Sequence, residues 1–143
     1  MNPSLVLDAS VIVKWLVRES QAEKDADRAF AILHGFQRRE LDLRAPSHWL
    51  VEVAAVISRL APTEAAGAIL DLHRLHIPVV EGIEVIQLAA KMAIELDAHL
   101  FDTLYHAAAL SVPSAQLITA DERYYKRAMR SGRIVLLANW RLV

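Results

Sequence analysis

The stretch Leu5-Val6-Leu7-Asp8-Ala9-Ser10-Val11-Ile12-Val13-Lys14-Trp15-Leu16 decides how the rest of the chain is read. Three apolar residues, Leu5, Val6 and Leu7, stop at an acid, and Ser10 then opens a segment in which Val11, Ile12, Trp15 and Leu16 recur at helical spacing. That pattern predicts a strand followed at once by a helix, with Asp8 at the joint. Working outward, Ala22, Ala26, Ala29, Phe30 and Leu33 predict an amphipathic helix over 21–35, with Gly35 as its stop. Leu41, Leu43 and Ala45 alternate with polar residues up to Pro46, and from Ser47 the period turns helical through Leu50, Ala54, Ile57 and Leu60. A short strand therefore feeds a helix capped by Ser47.

Pro62 opens a further helix running to about His73, residues 77–80 make a buried-strand candidate, and Val85, Leu88, Ala89, Met92 and Leu96 share one face of a helix over 84–96. The second half repeats this punctuation. A small-residue-rich helix over 101–110 leads to a buried strand over 116–120, then Asp121, a basic helix over 122–130 and a last strand over 134–137. Strands alternating with helices, each connection longer than a hairpin, imply parallel pairing with helices on both faces. The expected fold is α/β, three layers around a central parallel sheet of four to five strands, in one domain over 1–143.

Composition agrees. The 143 residues are 55% hydrophobic and 23% charged, too apolar for a disordered chain. The longest apolar runs, 29–33, 53–57 and 134–138, are five residues long, against the roughly 20 that span a bilayer. Met1, Asn2 and Pro3 lack the basic and apolar regions of a signal peptide, and zero cysteines exclude disulfides, thiolate metal sites and a Cys nucleophile. A cytoplasmic protein is the expectation. The net charge of −1 conceals an asymmetry: residues 122–143 carry six basic side chains against one acidic, net +5, and the other 121 carry ten basic and sixteen acidic, net −6. A basic end on an acidic body can steer a phosphate backbone or an acidic protein segment, or it can simply be a solvated helix face.

Most of the seventeen acidic residues sit where a solvated carboxylate costs nothing, but four stand in apolar neighbourhoods. Asp8 ends the first strand, Glu52 interrupts an apolar helix, Asp102 follows Phe101 at a helix start, and Asp121 ends a later strand. A carboxylate taken out of water neutralises, finds a cation, or is held by several donors. No Lys or Arg stands four positions after any of the four on its own helix. Open parallel sheets bind ligands at the carboxyl ends of their strands, where strand order reverses, so the four are expected to converge there. Converging carboxylates repel, and a hard divalent cation such as Mg²⁺ or Mn²⁺ holds them ionised better than zinc does. Such clusters align a phosphodiester and activate a water. The plainer alternatives are that Asp8 and Asp121 are helix N-caps, Asp102 a first-turn acid favoured by the helix dipole, and Glu52 a satisfied buried Glu.

The six histidines show no metal-ligand spacing, although His48 and His106 lie four residues from Glu52 and Asp102. Trp15, Trp49 and Trp140 suit a core or a subunit interface better than base stacking. No phosphate-binding Gly loop occurs. A haloacid-dehalogenase type phosphatase would need Asp where Ser10 stands.

The segment 7–16, Ala45-Pro46 leading through Trp49 and Leu50 to Glu52-Val53-Ala54, then Phe101-Asp102-Thr103-Leu104-Tyr105 and Leu117-Ile118-Thr119-Ala120-Asp121, resembles the PIN-domain nucleases, most closely the VapC-type toxins of toxin–antitoxin modules. The resemblance implies a PIN-like fold with Asp8, Glu52, Asp102 and Asp121 as catalytic and metal-binding residues, and with Ser10 and Thr119 supporting them. It implies Mg²⁺- or Mn²⁺-dependent cleavage of RNA, a homodimer, and a cognate antitoxin that blocks the site. Arg123, Lys126, Arg127 and Arg130 would then bind RNA or antitoxin. A catalytically silent PIN-like module that only holds a partner is the alternative, against which all four acids are present. Ala55 stands where many relatives carry Asn, Phe101 where they carry Tyr, and His106 where an aliphatic residue is usual.

Overall fold

Strands β1 (Ser4–Leu7), β2 (Asp42–Pro46), β3 (Val79–Val80), β4 (Gln116–Thr119) and β5 (Ile134–Leu136) lie side by side in the order β3-β2-β1-β4-β5, every pair parallel. In this computed structural model residues 1–17 and 24–142 are described. Among them the sheet is flanked by seven helices: α1 (Ala9–Ile12), α2 (Ala26–Gln37), α3 (Trp49–Leu60), α4 (Ala65–His73), α5 (Ile83–Leu96), α6 (Leu100–Ser111) and α7 (Glu122–Ala128). The expected three-layer α/β/α arrangement is therefore the one found, with five strands. Successive residues of a strand point to opposite faces, and Leu5, Val6 and Leu7 of β1 and Leu117, Ile118 and Thr119 of β4 are all buried. Both faces of the sheet centre are covered, which is why these strands read as continuous apolar runs rather than alternating ones.

The chain moves one way from β1 through β2 to β3 and the other way to β4 and β5, so strand order reverses between β1 and β4. Leu7 is in register with Ile118, and the Asp8 amide extends the ladder to the Ile118 carbonyl at 3.3 Å. The ends of both strands thus meet at the switch point.

Several local boundaries differ from the sequence expectation. Helix α2 runs through Gly35 to Gln37; Gly35 serves a close approach instead, since a Cβ there would stand 2.9 Å from Leu41 Cδ2 in the core. The start expected for this helix, at 21–23, lies outside the described residues. Ser47 does not cap α3, which begins after His48 without a side-chain cap. Pro62 lies in the turn before α4, whose first residue is Ala65. The buried strand expected over 77–80 shrinks to two residues at the sheet edge, with Val79 exposed, because an edge strand has a partner on one side only. Trp15, Trp49 and Trp140 are all buried, and the Trp15 indole donates to the Ala29 carbonyl at 2.8 Å, tying the first helical segment to α2. Among the described residues no helix is long and apolar enough to cross a membrane.

Candidate active site

Asp8 is built into the switch point by hydroxyls from both sides. Its side chain caps α1, one oxygen accepting from the Ser10 amide at 3.1 Å and from the Ser10 hydroxyl, the other from the Thr119 hydroxyl. Each hydroxyl is in turn fixed by accepting from the β4 exit: Ser10 Oγ from the Ala120 amide at 3.0 Å and Thr119 Oγ1 from the Asp121 amide at 3.0 Å. Two short side chains thereby lock β1 to β4 and aim the carboxylate. Capping α1 and facing the switch point are the same geometry for Asp8, so the N-cap reading does not compete with a place in the candidate site.

The other acids arrive on helix starts. Asp121 caps α7, accepting from the Tyr124 amide at 3.0 Å. Asp102 lies in the first turn of α6, whose cap is the His99 ring, accepting from the Phe101 amide at 3.1 Å. Glu52 lies in the first turn of α3. Carboxylates at helix N-termini meet unpaired amides and the positive dipole end, which offsets part of their desolvation.

Electrostatics tie the four together. Burial pushes the Asp8 carboxyl up to about 7 despite the Ser10 and Thr119 donors, and the charges of Asp102 and Asp121 add to the rise. Asp102 is raised by burial and then by Asp121, with His99 opposing. Glu52 is raised by burial and by Asp102, with Tyr105 and His99 opposing. Among the described residues none of Asp8, Asp102 and Asp121 has an ion pair with Lys or Arg; Glu52 has only His48, at 3.8 Å, whose imidazole burial keeps neutral. No three His, Asp or Glu side chains among the described residues are arranged to hold one ion as they stand. The donor set nevertheless fits a hard cation, because it offers only oxygens, its carboxyls repel one another, and Mg²⁺ commonly takes one or two carboxylates and completes its shell with water and phosphate.

Asp102 and Asp121 line a cleft of about 250 Å³ with Asp97, Ala98, His99, Arg123, Tyr124 and Arg127. Asp121 also borders a cleft of about 350 Å³ that includes Lys14 and Lys24. Of the basic residues singled out on α7 and the turn after it, Arg123 and Arg127 are thus brought to the acids, and Lys126 and Arg130 are exposed outside that cleft's lining. Arg127 also donates to the Asp97 carbonyl at the end of α5, and Arg133 donates to the Leu110 and Val112 carbonyls at the end of α6. Part of the basic stretch therefore caps helices.

His106 does not face Asp102. It is fully buried, its Nε2 donating to the Gly132 carbonyl at 2.8 Å and its Nδ1 accepting from the Tyr124 hydroxyl at 2.9 Å, so it pins α6 to α7 and to the turn before β5. That accounts for a polar residue at a position where the sequence offers no reason for one. Sequence reasoning missed Tyr105, Tyr124 and His99, all of which the acids feel. The available signal was spacing: Tyr105 stands one helical turn from Asp102 and Tyr124 three residues from Asp121.

An open parallel sheet that gathers acids at its switch point, each on a helix start and none ion-paired with Lys or Arg among the described residues, defines an acid-cleft α/β domain. The sequence profile of the PIN domain matches residues 5–129, and the chain belongs to the PIN domain family, a nuclease-type fold whose members generally use divalent metal ions. Comparison with curated proteins returns no match.

Proposed function

We propose that this protein is a metal-dependent endoribonuclease, the toxin of a toxin–antitoxin module, acting in the cytoplasm. One observation carries the nuclease reading: mutually repelling carboxyls, led by Asp8 raised to about 7, are held at the switch point, and among the described residues none of Asp8, Asp102 and Asp121 has a Lys or Arg ion pair. Such a set is stable as anions only beside a cation that arrives with the substrate or before it.

Asp8, Glu52, Asp102 and Asp121 would hold Mg²⁺, with Mn²⁺ substituting. When bound, the ion supplies positive charge to the scissile phosphate and lowers the pKa of a water. Ser10 and Thr119 hold Asp8 in one orientation, so no side-chain reorganisation is needed at the moment of reaction. Arg123 and Arg127, on the rim of the acidic cleft, supply charge for the phosphates on either side of the cut. The toxin role, an antitoxin segment competing for the same basic helix face, and a homodimer follow from the resemblance to VapC-type proteins. Exposed Val51, Leu60 and Leu70 on α3 and α4 offer apolar surface for such a dimer.

A silent module that holds a partner in the acidic cleft is favoured by one fact, that no three of the acids are arranged around a single point. The experiment that separates the two is cleavage of a labelled unstructured RNA by antitoxin-free protein with Mg²⁺ or Mn²⁺. Cutting that disappears in EDTA and in Asp8→Asn is the expected result; Mn²⁺ that neither binds nor supports cutting would hand the cleft to the silent reading.

A further inference from the structure

Three buried side-chain polar atoms among the described residues lack a partner in hydrogen-bond geometry, and two of them, the Tyr105 hydroxyl and His48 Nδ1, belong to side chains beside Glu52. Buried polar atoms without a partner are rare, and their coincidence in one place asks for a cause. Tyr105 is fully buried and lies on α6 one turn beyond Asp102. Its ring packs against the His48 ring at 4.6 Å, and His48 is itself held by donating Nε2–H to the Phe101 carbonyl at 3.0 Å. A carbonyl only accepts, so this bond fixes the imidazole tautomer, spends the N–H nearest Glu52 on Phe101 and leaves Nδ1 as a bare lone pair. The Tyr105 hydroxyl is thus a buried donor outside strict hydrogen-bond geometry, and the acceptor it interacts with is the Glu52 carboxylate.

What surrounds that hydroxyl is acid. Its phenol is raised by burial, then by the charges of Glu52 and Asp8, by hydrogen bonding to Glu52 and by the charge of Asp102, and it is Tyr105 that most offsets the desolvation of Glu52. An O–H at the floor of a carboxylate cluster is a donor the cluster otherwise lacks on the Glu52 side, where no counterpart of Ser10 and Thr119 exists. We infer that Tyr105 is a positioning residue whose hydroxyl orients the Glu52 carboxylate for metal binding, with the His48 ring clamping the phenol in place.

The inference deepens the nuclease reading and rests on it for the metal, but not for the Tyr105–Glu52 link. The test uses the full chain with Tyr105→Phe, a nearly isosteric change that removes only the hydroxyl. In metal-free protein the ¹³C carboxyl resonance of Glu52, assigned by its loss in Glu52→Gln, is expected to shift in Tyr105→Phe. Mn²⁺ affinity, read by calorimetry, is expected to fall about tenfold, the range seen when residues that orient metal ligands are removed. In the Glu52→Gln background the same change should leave Mn²⁺ affinity where it is. Cleavage should lose kcat with KM for RNA unaltered, a split that a loosened core would not produce. An unmoved Glu52 resonance, or Mn²⁺ affinity equal to wild type, overturns the inference. A shifted resonance in a protein that never binds Mn²⁺ supports the Tyr105–Glu52 link and refutes the proposed function instead.

Discussion

The two flanks of the acidic site are held in opposite ways. On the β1–β4 flank, both oxygens of Asp8 accept hydrogen bonds, and the hydroxyls that give them are themselves fixed by backbone amides. On the α3–α6 flank, Glu52 stands beside a neutral imidazole at 3.8 Å and a phenol with no partner in hydrogen-bond geometry. The first flank is wired by residues adjacent in sequence to the acids, so it is set as soon as β1 and β4 pair. The second depends on how two helices pack. Preorganisation therefore sits with Asp8, and adjustability with Glu52.

The largest effects should come from breaking the wired flank. In EDTA, Asp8 with its carboxyl near 7 holds a proton that the unfolded chain has lost, so the native state gains stability at low pH and loses it as pH rises from about 4 to about 7. Asp8→Asn has no such dependence. Its unfolding free energy, read by chemical denaturation, is expected to gain on wild type between pH 5 and pH 8 by a difference on the order of 2 kcal/mol after discounting for the partial exposure of the carboxyl. Mn²⁺ at pH 8 should stabilise wild type and leave Asp8→Asn unchanged. A difference between the two proteins that is flat with pH would mean Asp8 is not desolvated as its position implies.

Thr119→Val tests the wiring alone. It removes one donor to Asp8 and strands the Asp121 amide, which Thr119 Oγ1 now accepts from. The expected outcome is a loss of about 1–3 kcal/mol in stability, and a ten- to hundredfold loss in kcat with RNA binding preserved. Chemical denaturation and single-turnover cleavage check the two parts separately. Equal losses from Thr119→Val and from a change at Glu52 would erase the contrast between the flanks.

What could be read in the sequence follows the same division. The placement of Asp8, Ser10, Thr119 and Asp121 was legible because each lies within three residues of a strand end, and strand ends in a parallel sheet converge by topology. Tyr105 was not, because a Tyr among Leu104, Ala107 and Ala108 reads as core, and only the packing of α6 against His48 reveals its hydroxyl as an orphan. The missed cap at Ser47 has the same origin: the chain before α3 is shaped by the His48 ring reaching across to Phe101, a contact 53 residues away in sequence. The shortened β3 reflects its edge position, which no local pattern encodes.

His106 shows that buried histidine in this fold can be purely structural, and His106→Leu separates that role from catalysis. The substitution leaves the Tyr124 hydroxyl and the Gly132 carbonyl unpaired, at an expected cost of about 2 kcal/mol. Burial holds His106 below its ordinary pKa, so its contribution is present above about pH 6.5 and is lost as pH falls and the unfolded chain takes up the proton. Acid sensitivity in that range should weaken in the variant, and cleavage at pH 8, measured where circular dichroism shows the variant folded, should change less than in Thr119→Val.

The smallest expected effect concerns the basic helix, and it asks whether the substrate meets the wired flank or the adjustable one. Arg123 shares a cleft with Asp102 and Asp121, and Lys126 points elsewhere on the same helix. If a strand of RNA lies across the acids, Arg123→Ala should weaken binding and lower the slope of log affinity against log salt by about 0.7, the value for one phosphate contact on a single strand. Lys126→Ala should leave that slope nearly unchanged, because a charge outside the cleft adds only to the long-range field, which salt screens within about 10 Å. Measured on the cleavage-dead Asp8→Asn background, the pair of slopes places the RNA path relative to Asp121 without depending on turnover. Equal slopes would mean the strand runs along the whole helix face, and the cleft would then mark only where the chain is cut.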